Sequence, residues 1–166
     1  MMQTAALLLS FATLPVVPSQ GEDVDVVLEL VEEDLRTSYD VISYDFDWVV
    51  VPESKTLEGR VTVTATTTRS METLQLDCKE LLEVLEVTEG EDTREFEREE
   101  ATLRIHMGRE LSEGEEFSVC VQYKGSPTAK NKFDGFHWAE TESGAPWVNT
   151  SCQGTGSHAW WPGKAS

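Results

Sequence analysis

The chain has 166 residues, of which 31 are acidic and 13 basic, giving a formal net charge of −18. That length suits one domain with a core of its own, and the absence of a basic face excludes a nucleic-acid backbone or an anionic lipid surface as an electrostatic partner. Acidity of this size favours solubility and attraction to cations, and it carries no information about fold.

The first 20 residues carry no charge. Their apolar run, Ala5 to Val17, stops at Pro18 and is shorter than the roughly 20 residues a bilayer-crossing helix needs. It suits the apolar region of a secretory signal, with small residues around Val17-Pro18-Ser19 near a cleavage point. Residues 1–20 are therefore expected to be a signal peptide and the chain to be exported, periplasmic or extracellular, with no membrane span. Only the amino terminus supplies the positive charge such a signal normally carries. Residues 21–38 are acidic; Val27, Leu30, Val31 and Leu35 recur at helical spacing, which predicts a short amphipathic helix or a linker.

From Tyr39 onward the period becomes two. Ile42, Tyr44, Phe46, Trp48 and Val50 alternate with Ser43, Asp45, Asp47 and Val49; after Pro52-Glu53-Ser54-Lys55, Leu57, Gly59, Val61, Val63 and Ala65 alternate with polar residues. Successive strand side chains point to opposite faces, so each run predicts a strand with one apolar face, and the short connector predicts an antiparallel hairpin. Leu74 to Cys78, Leu82 to Val87, Leu103 to Met107 and Phe117 to Tyr123 continue the pattern, separated by turn signals at Glu89-Gly90-Glu91-Asp92, Ser112-Glu113-Gly114 and Lys124-Gly125-Ser126-Pro127. Short strands at this spacing predict an antiparallel sandwich or open barrel. Glu89 to Glu100 holds seven acids and two arginines. It lacks the ligand spacing of a calcium loop and is read as a solvated hairpin edge, where charge discourages edge pairing. Four of the five tryptophans, Trp138, Trp147, Trp160 and Trp161, fall in the last 30 residues, a segment expected to be irregular and to form a docking surface or ligand cleft.

No complete catalytic apparatus is encoded. His106, His137 and His158 form no H-E-x-x-H motif, and zinc could be held only by distant residues such as Cys152 with His158. There is no G-x-S-x-G elbow. Gly154-Thr155-Gly156-Ser157-His158-Ala159 matches a dinucleotide fingerprint but lacks the βαβ context and the later acid. Asn149-Thr150-Ser151 is a glycosylation sequon, meaningful only in a eukaryotic secretory pathway. Cys78, Cys120 and Cys152 are odd in number, so at least one is not paired within the chain; a Cys78–Cys120 bridge is conceivable in an exported chain, and the simpler expectation is small buried thiols.

The order of several segments resembles the amino-terminal domain of the aminopeptidase N family of zinc metallopeptidases, which includes leukotriene-hydrolase-like enzymes. The segments are Tyr39 to Asp47, Leu57 to Val63, Gly135-Phe136-His137-Trp138, Pro146-Trp147-Val148-Asn149-Thr150, Gln153, and Ala159-Trp160-Trp161-Pro162-Gly163-Lys164, against a family pattern W-[IV]-x-T-x-x-Q and then W-W-P-C-x-D. The resemblance covers Tyr39 to Lys164. It implies an all-β, antiparallel, saddle-like sandwich domain over 39–166 that leans on a thermolysin-like catalytic domain. It implies that Gln153 is substrate-binding, reaching the cleft to hold the free α-amino group of a peptide N-terminus; an amide oxygen accepts from an ammonium without adding a full charge. Gly163 and Ala165 depart from the family's Cys and Asp. The G-x-M-E-N loop, the H-E-x-x-H helix and the glutamate zinc ligand, which follow in the family, are not in this sequence. The reading is therefore a noncatalytic domain with no catalytic or metal residues of its own, the cofactor of the full-length family being zinc. An inactive adaptor resting on a true peptidase fits the same residues. The alternative is an independent exported sandwich module binding carbohydrate through Trp138, Trp147, Trp160 or Trp161.

Overall fold

The computed structural model describes residues 34–129, 132–153 and 157–164. The expected signal at 1–20 and most of the 21–38 segment lie outside the described residues. At the end of that segment, Leu35–Ser38 forms one 3-10 turn whose start is capped by the Asp34 carboxylate, which accepts from the Arg36 amide at 3.1 Å. Among the described residues ten strands follow: β1 (Tyr39–Val51), β2 (Thr56–Thr67), β3 (Met71–Asp77), β4 (Leu82–Glu89), β5 (Asp92–Thr93), β6 (Phe96–Glu99), β7 (Thr102–Leu111), β8 (Glu116–Gly125), β9 (Asp134–Glu140) and β10 (Pro146–Cys152). The protein is all-β and antiparallel, as the alternation predicts.

The strands make a five-stranded sheet in the order β1-β2-β8-β4-β5, a three-stranded sheet β3-β7-β6, and a two-stranded sheet β10-β9. The inward side chains of the larger sheets form one core, with Leu57, Val61 and Val63 of β2, Val119, Val121 and Tyr123 of β8, Leu74 and Leu76 of β3, and Leu103, Ile105 and Met107 of β7 all fully buried. Each such aliphatic side chain contributes about 1.5–3 kcal/mol through removal of its surface from water. One polar bond ties the sheets inside this apolar space: the Tyr39 hydroxyl donates to the Gln75 carbonyl at 2.6 Å. Burial holds the Tyr39 phenol far above the ordinary tyrosine range, so it remains a donor throughout the working pH range.

Two irregularities redirect apolar residues. The hairpin β1–β2 has a bulge between Val41 and Ser43. Ile42, expected on the apolar face with Tyr44, is turned outward and is 56% exposed, because an extra residue flips everything before it relative to the pleat. A second bulge between Val84 and Glu86 does the same to Leu85.

The last 30 residues, expected to be irregular, hold β10 and most of β9, which form a regular hairpin with Trp138 opposite Val148 and His137 opposite Asn149. The acidic run from Glu89 also differs from a purely solvated edge. It crosses from β5 of the larger sheet to β6 of the smaller one. Glu89 is well covered and accepts from Arg94 at 2.9 Å and from Arg109 of β7 at 3.0 Å, while Arg109 reaches Glu115 at 2.6 Å. An Arg-centred bridge thus joins the two sheets at this end.

Gly59 shows how tightly β1 and β2 fit. A β-carbon there would stand 2.2 Å from the Asp47 carbonyl oxygen and 2.5 Å from Trp48. Gly59→Ala is expected to lower stability by about 1–3 kcal/mol through overpacking against backbone that cannot yield. A shift of the urea midpoint measures it; an unchanged midpoint would show that the hairpin relaxes freely.

Candidate functional site

The Trp-rich end is built onto the core face of β1. Alternation puts Tyr44, Phe46 and Trp48 on that face, opposite Val63, Val61 and Gly59. They meet Trp160 and Trp161: Trp48 lies 5.2 Å from Trp160, Phe46 lies 5.0 Å from Trp161, and the two tryptophans meet edge-on at 4.4 Å between ring centroids. Phe136 and Trp138 of β9 extend the cluster, Phe136 at 5.6 Å from Trp160 and 4.6 Å from Trp138. Offset and edge-to-face pairs of this kind add about 0.5–1.5 kcal/mol each beyond the area they bury.

Backbone bonds fasten the strap 157–164 at both ends. Lys79 donates to the His158 carbonyl at 3.2 Å, and Asp77 and Gly163 exchange two bonds at 2.7 and 2.9 Å. The Lys164 amide donates to the Tyr44 hydroxyl at 2.8 Å, and its ammonium donates to the Tyr39 carbonyl at 2.6 Å. Gly163, which stands where the resembling family has Cys, is closely hemmed: a β-carbon would lie 2.9 Å from the Trp161 indole nitrogen.

Gln153 follows β10 directly and is exposed. Its backbone amide donates to the Phe133 carbonyl at 3.0 Å, and the Ser151 hydroxyl donates to the Lys132 carbonyl at 3.2 Å. The base of the β9–β10 hairpin is therefore closed by bonds that hold the backbone beside the glutamine, and the residue itself is exposed. Phe133, half exposed beside it, is a neighbour that the sequence pattern does not single out.

The other singled-out residues are scattered. Trp160 is 9% exposed and belongs to the core, and Trp138 spends its indole N–H on the Pro127 carbonyl at 2.7 Å. Trp147, at 55% exposure, is the open one of the four. All three cysteines are free thiols, so the conceivable Cys78–Cys120 bridge is not formed. Cys78 is the buried apolar thiol that was expected, its pKa pushed up to about 11 by burial, whereas Cys120 is half-buried and Cys152 exposed. His106 lies on the outer side of β7, 3.5 Å from Glu97. Among the described residues no three His, Cys, Asp or Glu side chains gather as a ligand set, and Cys152 and His158 belong to none. The described residues therefore offer no ligand set for the zinc of the full-length family. Among the described residues, no helix is long and apolar enough to cross a membrane.

No family model matches the sequence, and no curated protein matches it. Solved structures do match. The M1 zinc metallopeptidase from Deinococcus radiodurans superposes with a TM-score of 0.58 at 18% identity, over 75% of this chain and 28% of that one. Native yeast LTA4 hydrolase superposes with a TM-score of 0.63 at 19% identity, over 81% of this chain and 23% of that one. A variant of the Deinococcus enzyme bound to a Tyr-Ser-Ala substrate gives 0.52 at 19%, over 65% and 27%. The chain has the fold of a domain of M1 zinc metallopeptidases. It spans about a quarter of the length of those enzymes.

His158 is the titratable group of the strap through which pH is expected to act. Burial holds its pKa below the ordinary histidine value, with Asp77 opposing and Lys79 and Arg36 reinforcing that direction. The folded chain therefore binds fewer protons than the unfolded chain between the two values, and stability falls as pH drops through the ordinary histidine range. His158→Gln is expected to flatten that part of the melting-temperature profile between about pH 8 and 5; an identical slope in both proteins would remove His158 as the cause.

Proposed function

We propose that this chain serves as the noncatalytic β domain of a zinc metallo-aminopeptidase, and that Gln153 helps hold the free amino group of a peptide N-terminus in a cleft completed by a thermolysin-like catalytic domain. The observation that carries the reading is the conjunction of the M1-type fold with an exposed glutamine on a braced hairpin base. An amide offers the oxygen lone pairs that an ammonium requires, and a fixed backbone reduces the entropy lost on binding. Hydrolysis itself belongs to a metal and general base that these residues do not supply.

A saccharide platform has less support. It requires several open aromatic faces, and of the four tryptophans only Trp147 is exposed.

The test is a chimera in which residues 34–164 replace the matching domain of the Deinococcus radiodurans enzyme. Gln153→Ala should raise KM for an aminoacyl arylamide about tenfold, the size of one lost charge-assisted hydrogen bond, with a smaller change in kcat. Gln153→Glu should retain binding, because a carboxylate also accepts from an ammonium. Equal KM values for the parent chimera and Gln153→Ala would contradict the assignment. The isolated 166-residue chain should release no arylamine, with or without added zinc.

A further inference from the structure

Of the eight large apolar residues exposed among the described residues, three converge at one place: Val49 at 62%, Val51 at 38% and Leu81 at 48%. They line a groove of about 390 Å³ at the end of the five-stranded sheet, rimmed by Glu58, Glu80 and Glu83. Lys124 pairs with Glu83 at 3.3 Å, leaving the rim net acidic. This groove lies outside the hairpin that carries Gln153.

Leu81 sits on a loop braced by hydrogen bonds at its neighbours. Arg98, reaching across from β6, donates to the carbonyls of Cys78 at 2.6 Å and Lys79 at 3.0 Å and to that of Leu82, while the Leu82 amide donates to the Lys79 carbonyl at 3.0 Å. The loop 78–82 also lies directly against β8. A β-carbon at Gly125 would stand 2.2 Å from the Leu81 carbonyl oxygen, so only glycine permits the approach. An exposed leucine on a braced loop, beside two exposed valines on an edge strand, forms an apolar floor of the kind that marks a docking site.

We propose that this groove docks a short extended peptide segment carrying one or two aliphatic side chains flanked by Lys or Arg, supplied by a partner protein. Charge complementarity selects this occupant: the floor takes the aliphatic groups while the glutamate rim takes the cations. A second copy of the chain is disfavoured, because each copy brings a net charge of −18 and no basic rim to offset it.

The probe is fluorescein-labelled Arg-Val-Leu-Arg amide, followed by anisotropy on the full chain, beside Glu-Val-Leu-Glu and Arg-Ser-Ser-Arg. The basic aliphatic peptide should saturate and weaken with added salt. Leu81→Asp should weaken it about tenfold, as loss of a central apolar anchor does, and Glu58→Lys with Glu80→Lys should weaken it comparably. Ile42→Asp, at an exposed apolar site elsewhere on β1, should leave binding unchanged, and matching melting temperatures should confirm that the variants fold. Equal binding by all variants, or equal binding of Arg-Ser-Ser-Arg, would reduce the effect to unspecific attraction and overturn the proposal. So would a sedimenting dimer abolished by Leu81→Asp.

Discussion

The contact on which this structure depends is that of Trp160 and Trp161 with Phe46 and Trp48. A sheet with a hydrophobic face needs a cover along its whole length. Here the middle of the sandwich is closed by β3, β7 and β6, and the aromatic stretch of β1 is closed by a strap with almost no regular structure. Packing does most of the work: among the described residues, the Trp160 and Trp161 indole N–H groups have no acceptor. The polar fastenings lie at the strap's ends, at Lys79, Asp77 and Tyr44, so the aromatic middle is positioned by backbone bonds and stabilised by apolar contact.

This arrangement connects fold to proposed function. The same C-terminal region that closes the core also presents Gln153. Phe136 and Trp138 anchor the inner face of the β9–β10 hairpin in the aromatic cluster, which leaves the base of that hairpin, with Gln153 and Phe133, directed to solvent. Gln153 thus follows a hairpin that packs into the core through Phe136 and Trp138.

Much of the fold was legible because strand alternation is a local signal. Leu57 to Ala65 and Phe117 to Tyr123 bury alternate side chains just as their spacing implies. What escaped the pattern was non-local or a matter of one residue. The outward turn of Ile42 depends on a bulge that no turn residue marks. The β9–β10 hairpin was hidden because Trp147 and Val148 are adjacent apolar residues and break the period, although Phe136 and Trp138 keep it. Glu89 reads as one more acid in a run, and only the stacking of the two larger sheets brings it beside Arg109 of β7. The groove did leave a trace: Val49 sits at a position where the alternation demands a polar residue, and Leu81-Leu82 places two leucines on opposite faces. Gln153 was marked by the ordered Trp/Gln/Trp-Trp-Pro block, a resemblance rather than a physical pattern.

The most direct test of the central contact is the stability of Trp160→Ala, measured by urea unfolding together with binding of an apolar dye to the folded protein. If the strap closes the core, the variant loses about 3–5 kcal/mol, the usual consequence of deleting a buried aromatic, and its opened β1 face takes up dye. An unchanged midpoint without dye binding would show that the aromatic face of β1 needs no cover, and would contradict the account.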